Sequence, residues 1–372
     1  MVAVLKKLVL GLALIAASAA VLLYSDLGSR KSGGALTSRA NRQVRVAMVQ
    51  HVSVASLDDV MTGALAALKE RGYESGGRMV LKQYNAQGDI GTANAIAKEV
   101  TSADFDLIFS ASTISLQTIA NANRFATPPR KHVFGGVSDP YAAGVAISRD
   151  NHLQHPSYMT GYGSLAPVED AFKLAVELNP SLKRVGLVWD PAETNSVVTT
   201  GIAREVCKKL GITLVEANAE NSTAVTEAAA SLTSRQVDAI WISPDLVASN
   251  GLGVIVGKAK LAHIPVFTSI PRQTITGALF ELGADYPAIG YDAGLLAADV
   301  LDGRDPAQIP VENVMPVTLQ VNRTIASTLK DKWNLSDAVL KRANVIVDET
   351  GRHVVKPSEG AVDTAPAAGG TK

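Results

Sequence analysis

The segment Asp238–Ser243 (DAIWIS), followed by Ile264–Phe267 (IPVF), indicates the fold, because the chain contains this pattern twice. About 132 residues earlier, Asp106–Ser110 (DLIFS) is followed by Lys131–Phe134 (KHVF). Each copy joins an aspartate to a short run of apolar residues that is typical of a buried strand. Apolar residues at helical spacing lie between these runs, and strands that alternate with helices form parallel sheets with right-handed crossovers. The repeat therefore predicts an α/β fold with two doubly wound parallel-sheet lobes.

The same pattern extends along most of the chain. The predicted strands are Val44–Val49, Met79–Tyr84, Asp106–Ser110 and Val133–Val137 in the first half, and Val185–Trp189, Thr213–Glu216, Asp238–Ser243 and Pro265–Thr268 in the second. The predicted helices are Leu57–Arg71, Ile90–Thr101, Leu116–Asn123, Val197–Leu210, Ala224–Ser234 and Leu246–Leu261. Two further apolar runs, Ala278–Gly283 and Pro316–Val321, remain unassigned.

The two lobes are expected to be joined by a hinge. We predict lobe 1 from residues 44–158 and 285–305, and lobe 2 from residues 159–284 and 306–345. The corresponding crossings lie near Tyr158–Ser164, Ile275–Asp285 and Asp305–Val311.

Both ends of the chain differ in composition from the repeat. Lys6 and Lys7 precede the uncharged apolar run Leu8–Tyr24, so residues 1–27 are predicted to be either a secretory signal peptide or an uncleaved membrane anchor. Residues 28–43 have the composition of a linker, and residues 346–372 are predicted to be a flexible tail. Either interpretation of the N-terminus places the body of the protein outside the cytoplasm.

Composition argues against several classes of function. Lysines plus arginines and aspartates plus glutamates both number 35, and this balance does not favour nucleic acid as a partner. His152 and His155 lack a third ligand nearby, so no metal site is predicted. The glycines at Gly251 and Gly257 do not complete a nucleotide-binding loop, so no cofactor is predicted.

Polar residues follow the predicted strands at their carboxyl ends, where parallel sheets bind ligands. The loops at this edge are Gln50–Ser56, Ser112–Gln117 and Val137–Tyr141 in the first half, and Asp190–Ser196, Ser243–Asp245 and Thr268–Arg272 in the second. Two such edges that face each other form a cleft. Asp139 is expected to face the cleft, with a turn before Pro140 as the alternative, and Ser196 is expected to cap its own helix.

At these loops the sequence resembles the ABC-transporter substrate-binding family that includes the tryptophan- and tyrosine-associated binding proteins, which has a type I periplasmic binding fold. The resemblance spans roughly Val44 to Ile325, and its marks are Tyr84–Asp89 (YNAQGD), Ser112–Gln117 (STISLQ), Val137–Pro140 (VSDP), Pro191–Ser196 (PAETNS), Val237–Ile240 (VDAI) with Asp245, and Gly283–Tyr286 (GADY). The resemblance implies a ligand-binding set formed by Thr113, Ser115, Gln117, Asp139, Glu193, Asn195, Ser196 and Asp245. Ile114 stands where relatives often have a proline, and the chain extends past their usual end.

The predicted function is that of an exported, monomeric binding protein, not an enzyme. It closes on a small polar molecule and delivers it to an ABC permease. A zwitterion suits the carboxylates and hydroxyls of the loops, so an amino acid, with aromatic ones included, is the first hypothesis. A membrane-tethered sensory domain and an α/β enzyme that uses the same cleft remain as alternatives.

Overall fold

The structure is a computed structural model that describes residues 43–272 and 274–356. Its strands form two separate sheets, each flanked by helices on both faces, so the predicted fold class is confirmed. None of the helices in the described ranges combines the length and the apolar character needed to span a membrane. The predicted signal or anchor (residues 1–27) and nearly all of the predicted linker lie outside the described residues.

Sheet 1 is the centre of lobe 1, and all its strand pairs are parallel. In spatial order, with numbers that follow the chain, its strands are β11 (Glu312–Asn313), β5 (Met159–Gly163), β4 (His132–Val137), β3 (Leu107–Ala111), β1 (Val44–Gln50) and β2 (Met79–Asn85). Its helices are α1 (Ala55–Glu70), α2 (Ile90–Ser102), α3 (Thr113–Asn123) and α9 (Tyr286–Asp302). Alternation along β1 covers both faces, because Val46 and Met48 belong to the core that includes α1 and α9, whereas Ala47 and Val49 belong to the core that includes α2.

Sheet 2 is the centre of lobe 2 and is mixed at one side. In spatial order its strands are β14 (Gly351–Val354), β13 (Val345–Asp348), β12 (Val317–Asn322), β10 (Phe280–Ala284), β9 (Val266–Thr268), β8 (Ala239–Ile242), β6 (Arg184–Trp189) and β7 (Thr213–Asn218). The β10–β12 and β13–β14 pairs are antiparallel, and the other pairs are parallel. The accompanying helices are α4 (Val168–Leu178), α5 (Thr194–Leu210), α6 (Ser222–Ser234), α7 (Leu246–Asn250), α8 (Leu252–Leu261), α10 (Arg323–Ala326) and α11 (Asp337–Arg342), and residues Pro306–Gln308 form a 3-10 turn.

The lobe boundaries differ from the predicted ones in two places. Residues 159–163 were predicted to begin lobe 2, but they form β5, which pairs with β4 in sheet 1. The strand was not predicted because its glycines weaken the strand pattern. In the structure, a Cβ at Gly161 would lie 2.3 Å from the Phe134 carbonyl oxygen, so the close approach of β5 to β4 requires glycine. Residues 312–313, also predicted in lobe 2, form β11 beside β5.

The passages between the lobes move accordingly. The first lies between β5 and α4, the second at Asp285 between β10 and α9, and the third at residues 314–316 between β11 and β12. The second falls within the predicted region, whereas the third comes later than residues 305–311.

The predicted flexible tail is wrong for its first residues. Val347 is buried at 2 % exposure, and β13 and β14 extend sheet 2 as a hairpin. The predicted tail beyond Lys356 lies outside the described residues.

Candidate functional site

The carboxyl ends of the parallel strands of both sheets meet around a small cavity between the lobes. Lobe 1 contributes Ser56, Leu57, Ser112, Thr113, Gly136 and Ser138. Lobe 2 contributes Asn195, Pro244, Leu246, Ser249 and Ile270, and Tyr286 lies at the second passage between the lobes. The cavity volume of about 20 Å³ is enough for about one water molecule, so this arrangement of the lobes is a closed one.

The lobe 1 wall is formed by the start of α3. Ser112 has a left-handed backbone (φ 98°), and its Oγ accepts a hydrogen bond from the backbone N–H of Ser115 at 3.1 Å. The Ser112 hydroxyl also donates to the Ser115 hydroxyl at 3.1 Å. Ser115 is therefore engaged in the helix cap, while the neighbouring Thr113 lines the cavity.

Gln117 connects the lobes at the mouth of the cleft. Its Nε2 donates to the carbonyl oxygen of Ala143 at 3.0 Å and to Oγ1 of Thr194, in lobe 2, at 3.2 Å. The mouth is a second, wider cavity with a volume of about 940 Å³, and its lining includes Gln117 and Glu193. Gln117 therefore hydrogen-bonds across the cleft from lobe 1 to lobe 2.

Asp139 does not line the inner cavity or the mouth. One carboxylate oxygen accepts from the backbone N–H groups of Tyr141 and Ala142, and the other pairs with Arg149 at 2.6 Å. These partners satisfy the carboxylate within its own loop. The geometry matches the turn-forming alternative for this residue.

Asn195 lines the inner cavity, and two hydrogen bonds hold its amide in place. Its Nδ2 donates to Oε2 of Glu193 at 3.0 Å and to the carbonyl oxygen of Pro244 at 2.7 Å. These two bonds fix the amide and leave Oδ1 buried with no hydrogen-bond partner among the described residues. A buried acceptor of this kind is costly unless a donor reaches it.

Two buried carboxylates lie behind Asn195. Asp245 accepts three hydrogen bonds at 2.6 Å, from the backbone N–H groups of Asp190 and Ala248 and from the Ser196 hydroxyl. Ser196 therefore donates a hydrogen bond to Asp245, and the prediction that it caps its own helix is wrong. The side chain of Glu193, at the start of α5, accepts from the backbone N–H of Leu246 at 3.1 Å.

The two carboxylates differ in how well their charged forms are stabilised. Burial, followed by the nearby charges of Asp245 and Asp190, raises the pKa of Glu193 to about 8. Burial also raises the pKa of Asp245, but its three short hydrogen bonds favour the charged form. We therefore assign the negative charge to Asp245 and the proton to Glu193 near neutral pH.

The predicted residues thus fall into three groups. Thr113 and Asn195 line the inner cavity, and Gln117 and Glu193 line the mouth. The residues that support these or neighbouring loops without lining either cavity are Ser115, Asp139, Ser196 and Asp245.

Several cavity residues were not singled out by sequence reasoning. Ser56 and Ser138 belong to loops that the strand-end rule had already selected, so position along the loop was the missing information. Ser249 lies on α7, and Tyr286 begins α9 at a passage between the lobes. Tyr286 ends the Gly283–Tyr286 mark of the family resemblance without having been assigned to the site, whereas no residue pattern at Ser249 distinguishes it from an ordinary helix residue.

The family model for ABC transporter substrate binding proteins matches residues 45–347. A protein of Clostridioides difficile described as a tyrosine-binding protein is 28% identical over 303 residues, which cover 81% of this chain and 85% of that protein.

Two solved structures share the fold. A conserved domain protein from Vibrio cholerae has a TM-score of 0.75 at 28% identity, over 82% of this chain and all (100%) of that chain. An ABC domain from Streptococcus pneumoniae, solved in complex with L-Trp, has a TM-score of 0.72 at 23% identity, over 81% of this chain and 100% of that chain. The chain belongs to the family of ABC transporter substrate-binding proteins, which bind a small molecule outside the cytoplasm for a membrane permease.

Proposed function

We propose that this protein binds an amino acid, with an aromatic one as the first candidate, and delivers it to an ABC permease. The ligand would occupy the cleft between the lobes, around the inner cavity. Because that cavity holds only about one water in the closed arrangement, an amino acid would enter after the lobes separate at the three passages.

The observation that carries the proposal is the unpartnered Oδ1 of Asn195. An ammonium group donates hydrogen bonds without accepting any, so it suits this buried acceptor. Glu193 supports the amide from behind, and its carboxylate would add negative potential once it loses its proton. Hydroxyl groups of Ser56, Thr113 and Ser138 supply further polar contacts on the opposite wall.

An aromatic side chain is supported by two independent points. The inner cavity has apolar surface from Leu57 and Ile270 and an aromatic ring from Tyr286. In addition, the relative with 28% identity is described as a tyrosine-binding protein.

The setting of this function is also part of the proposal. Lys6, Lys7 and the apolar run Leu8–Tyr24 would export the protein, either as a cleaved signal or as a retained anchor. The body would act as a monomer, since both walls of the cleft come from one chain.

The direct test identifies the small molecule that the purified protein carries. Mass spectrometry of compounds released by denaturation should detect an amino acid in near-equimolar amount. Release of a sugar or a nucleoside in that amount would contradict the proposal. The same amount of the Asn195→Leu variant is the control for compounds that adhere non-specifically. This variant removes the unpartnered acceptor and should lose the compound.

A further inference from the structure

Arg272 follows β9 at the carboxyl edge of sheet 2, and none of the roles described above involves it. Its guanidinium Nη2 donates to the carbonyl oxygen of Ser249 at 2.8 Å, and Ser249 lines the inner cavity. Tyr286, also in the lining, lies within electrostatic range of the same guanidinium. Arg272 is therefore directly behind the wall nearest the second passage between the lobes.

The guanidinium is incompletely satisfied. Its Nε is buried and has no hydrogen-bond partner among the described residues. The carboxylates of Glu281 and Asp59 are within electrostatic range of the guanidinium. The Glu281 carboxylate instead accepts from the backbone N–H of Arg272 at 2.8 Å and from the Thr276 hydroxyl.

Two of the unsatisfied buried groups among the described residues, one on a cavity residue and one on a residue bonded to the cavity wall, are of opposite kinds. Oδ1 of Asn195 needs a donor, and Nε of Arg272 needs an acceptor. An α-amino acid carries both, as an ammonium and a carboxylate joined through one carbon. Guanidinium groups bind carboxylates through charge-assisted and often bidentate hydrogen bonds.

We propose that Arg272 binds the carboxylate of the ligand, so that this residue selects free amino acids over amines and amides. This inference rests on the proposed function and specifies it further. Opening of the lobes would expose the guanidinium beside Ser249, and closure would hold the carboxylate against it. The ligand would then lie with its ammonium toward Asn195 and its carboxylate toward the hinge.

The test compares ligands with and without the carboxylate. The probes are L-amino acids and their α-amides, starting with L-tyrosine and L-tyrosinamide, which share the ammonium and the side chain. Calorimetry should show that Arg272→Gln weakens the binding of L-tyrosine by about ten- to a hundredfold, which is the effect of one charge-assisted hydrogen bond. The affinity for L-tyrosinamide should stay unchanged. Arg272→Lys keeps the charge without the planar fork and should give a smaller loss with the same preference.

Arg352→Gln is the matched control. Arg352 lies within electrostatic range of the same Glu281 and Asp59, but its Nε donates to Oε1 of Gln320 at 2.9 Å, and neither Arg352 nor Gln320 lines the inner cavity. Its removal should leave the ratio of the two affinities unchanged. Equal weakening of acid and amide by Arg272→Gln, or no weakening of either, would overturn the inference. Failure of the unmodified protein to bind any amino acid would instead overturn the proposed function, and the role of Arg272 with it.

Discussion

Replacement of Glu193 by glutamine should make the ligand-free protein less sensitive to pH. Burial and the neighbouring carboxylates raise the pKa of Glu193 from its ordinary 4.5 to about 8, so the folded chain binds this proton more tightly than the unfolded chain. The resulting stabilisation is complete below pH 4.5 and is lost as the pH rises through about 8. At about 1.4 kcal/mol per unit of pKa, the free energy of unfolding should fall by about 2 kcal/mol between about pH 6 and pH 8 from this group alone.

The glutamine variant keeps an acceptor for Asn195 and for the backbone N–H of Leu246, but it binds no proton. Burial also raises the pKa values of Glu281 and Asp59, to about 7 and about 6, so both proteins share a background slope. In urea unfolding, the free energy of unfolding of Glu193→Gln should therefore fall less between about pH 6 and pH 8 than that of the unmodified protein, by about 2 kcal/mol. Glu220→Gln, at an exposed glutamate of the same mouth, should follow the unmodified protein. Parallel curves for Glu193→Gln and the unmodified protein would refute the assignment of the proton.

Three further predictions concern packing, the chain end and ligand linkage. Gly290→Ala should lower the free energy of unfolding by about 1–3 kcal/mol or more, because the new Cβ would lie 2.1 Å from a backbone oxygen of α1. The control Gly201→Ala, in open space on α5, should raise the free energy of unfolding by up to about 1 kcal/mol. Equal effects of the two variants in urea unfolding would contradict the close contact between the helices. Truncation after Asn344 should lower stability by about 3–6 kcal/mol through loss of the two buried valines of β13; an unchanged urea midpoint would mean that the hairpin does not pack on sheet 2. Binding of an amino acid at pH 7 should release a proton from Glu193, since a nearby ammonium favours the carboxylate. Calorimetry in buffers of different ionisation enthalpy should detect this proton release. Proton release that persists in Glu193→Gln would assign the proton to another group.

Much of the fold was predictable because its signals are local. Short apolar runs that alternate with helical stretches identify β1, β3, β6 and β8, and the repeat pairs them between lobes. β5 gave no such signal, because Gly161 lowers strand propensity for a reason that lies on another strand, the close approach to Phe134. Membership of a sheet is a tertiary property, so β5 and β11 could not be assigned to lobe 1 from their own residues.

The candidate site follows the same division. The strand-end rule selected the loops that contain Thr113 and Asn195, and both residues line the cavity. It could not tell which side chain of each loop turns inward. Asn195 faces the cavity because Pro244, from a different strand end, holds its amide, and Asp139 turns away because Arg149 pairs with it. Such choices depend on contacts between segments that are distant in sequence or that meet only in the folded loop.

The function proposed for the cleft is the binding of an amino acid. Its most direct test is titration calorimetry of the protein, freed of ligand, with the common L-amino acids and with a panel of sugars and nucleosides. Saturable one-to-one binding of an amino acid, strongest for an aromatic one and weakened by Asn195→Leu, is the expected result. Binding of a sugar or nucleoside with no response to any amino acid would contradict this function.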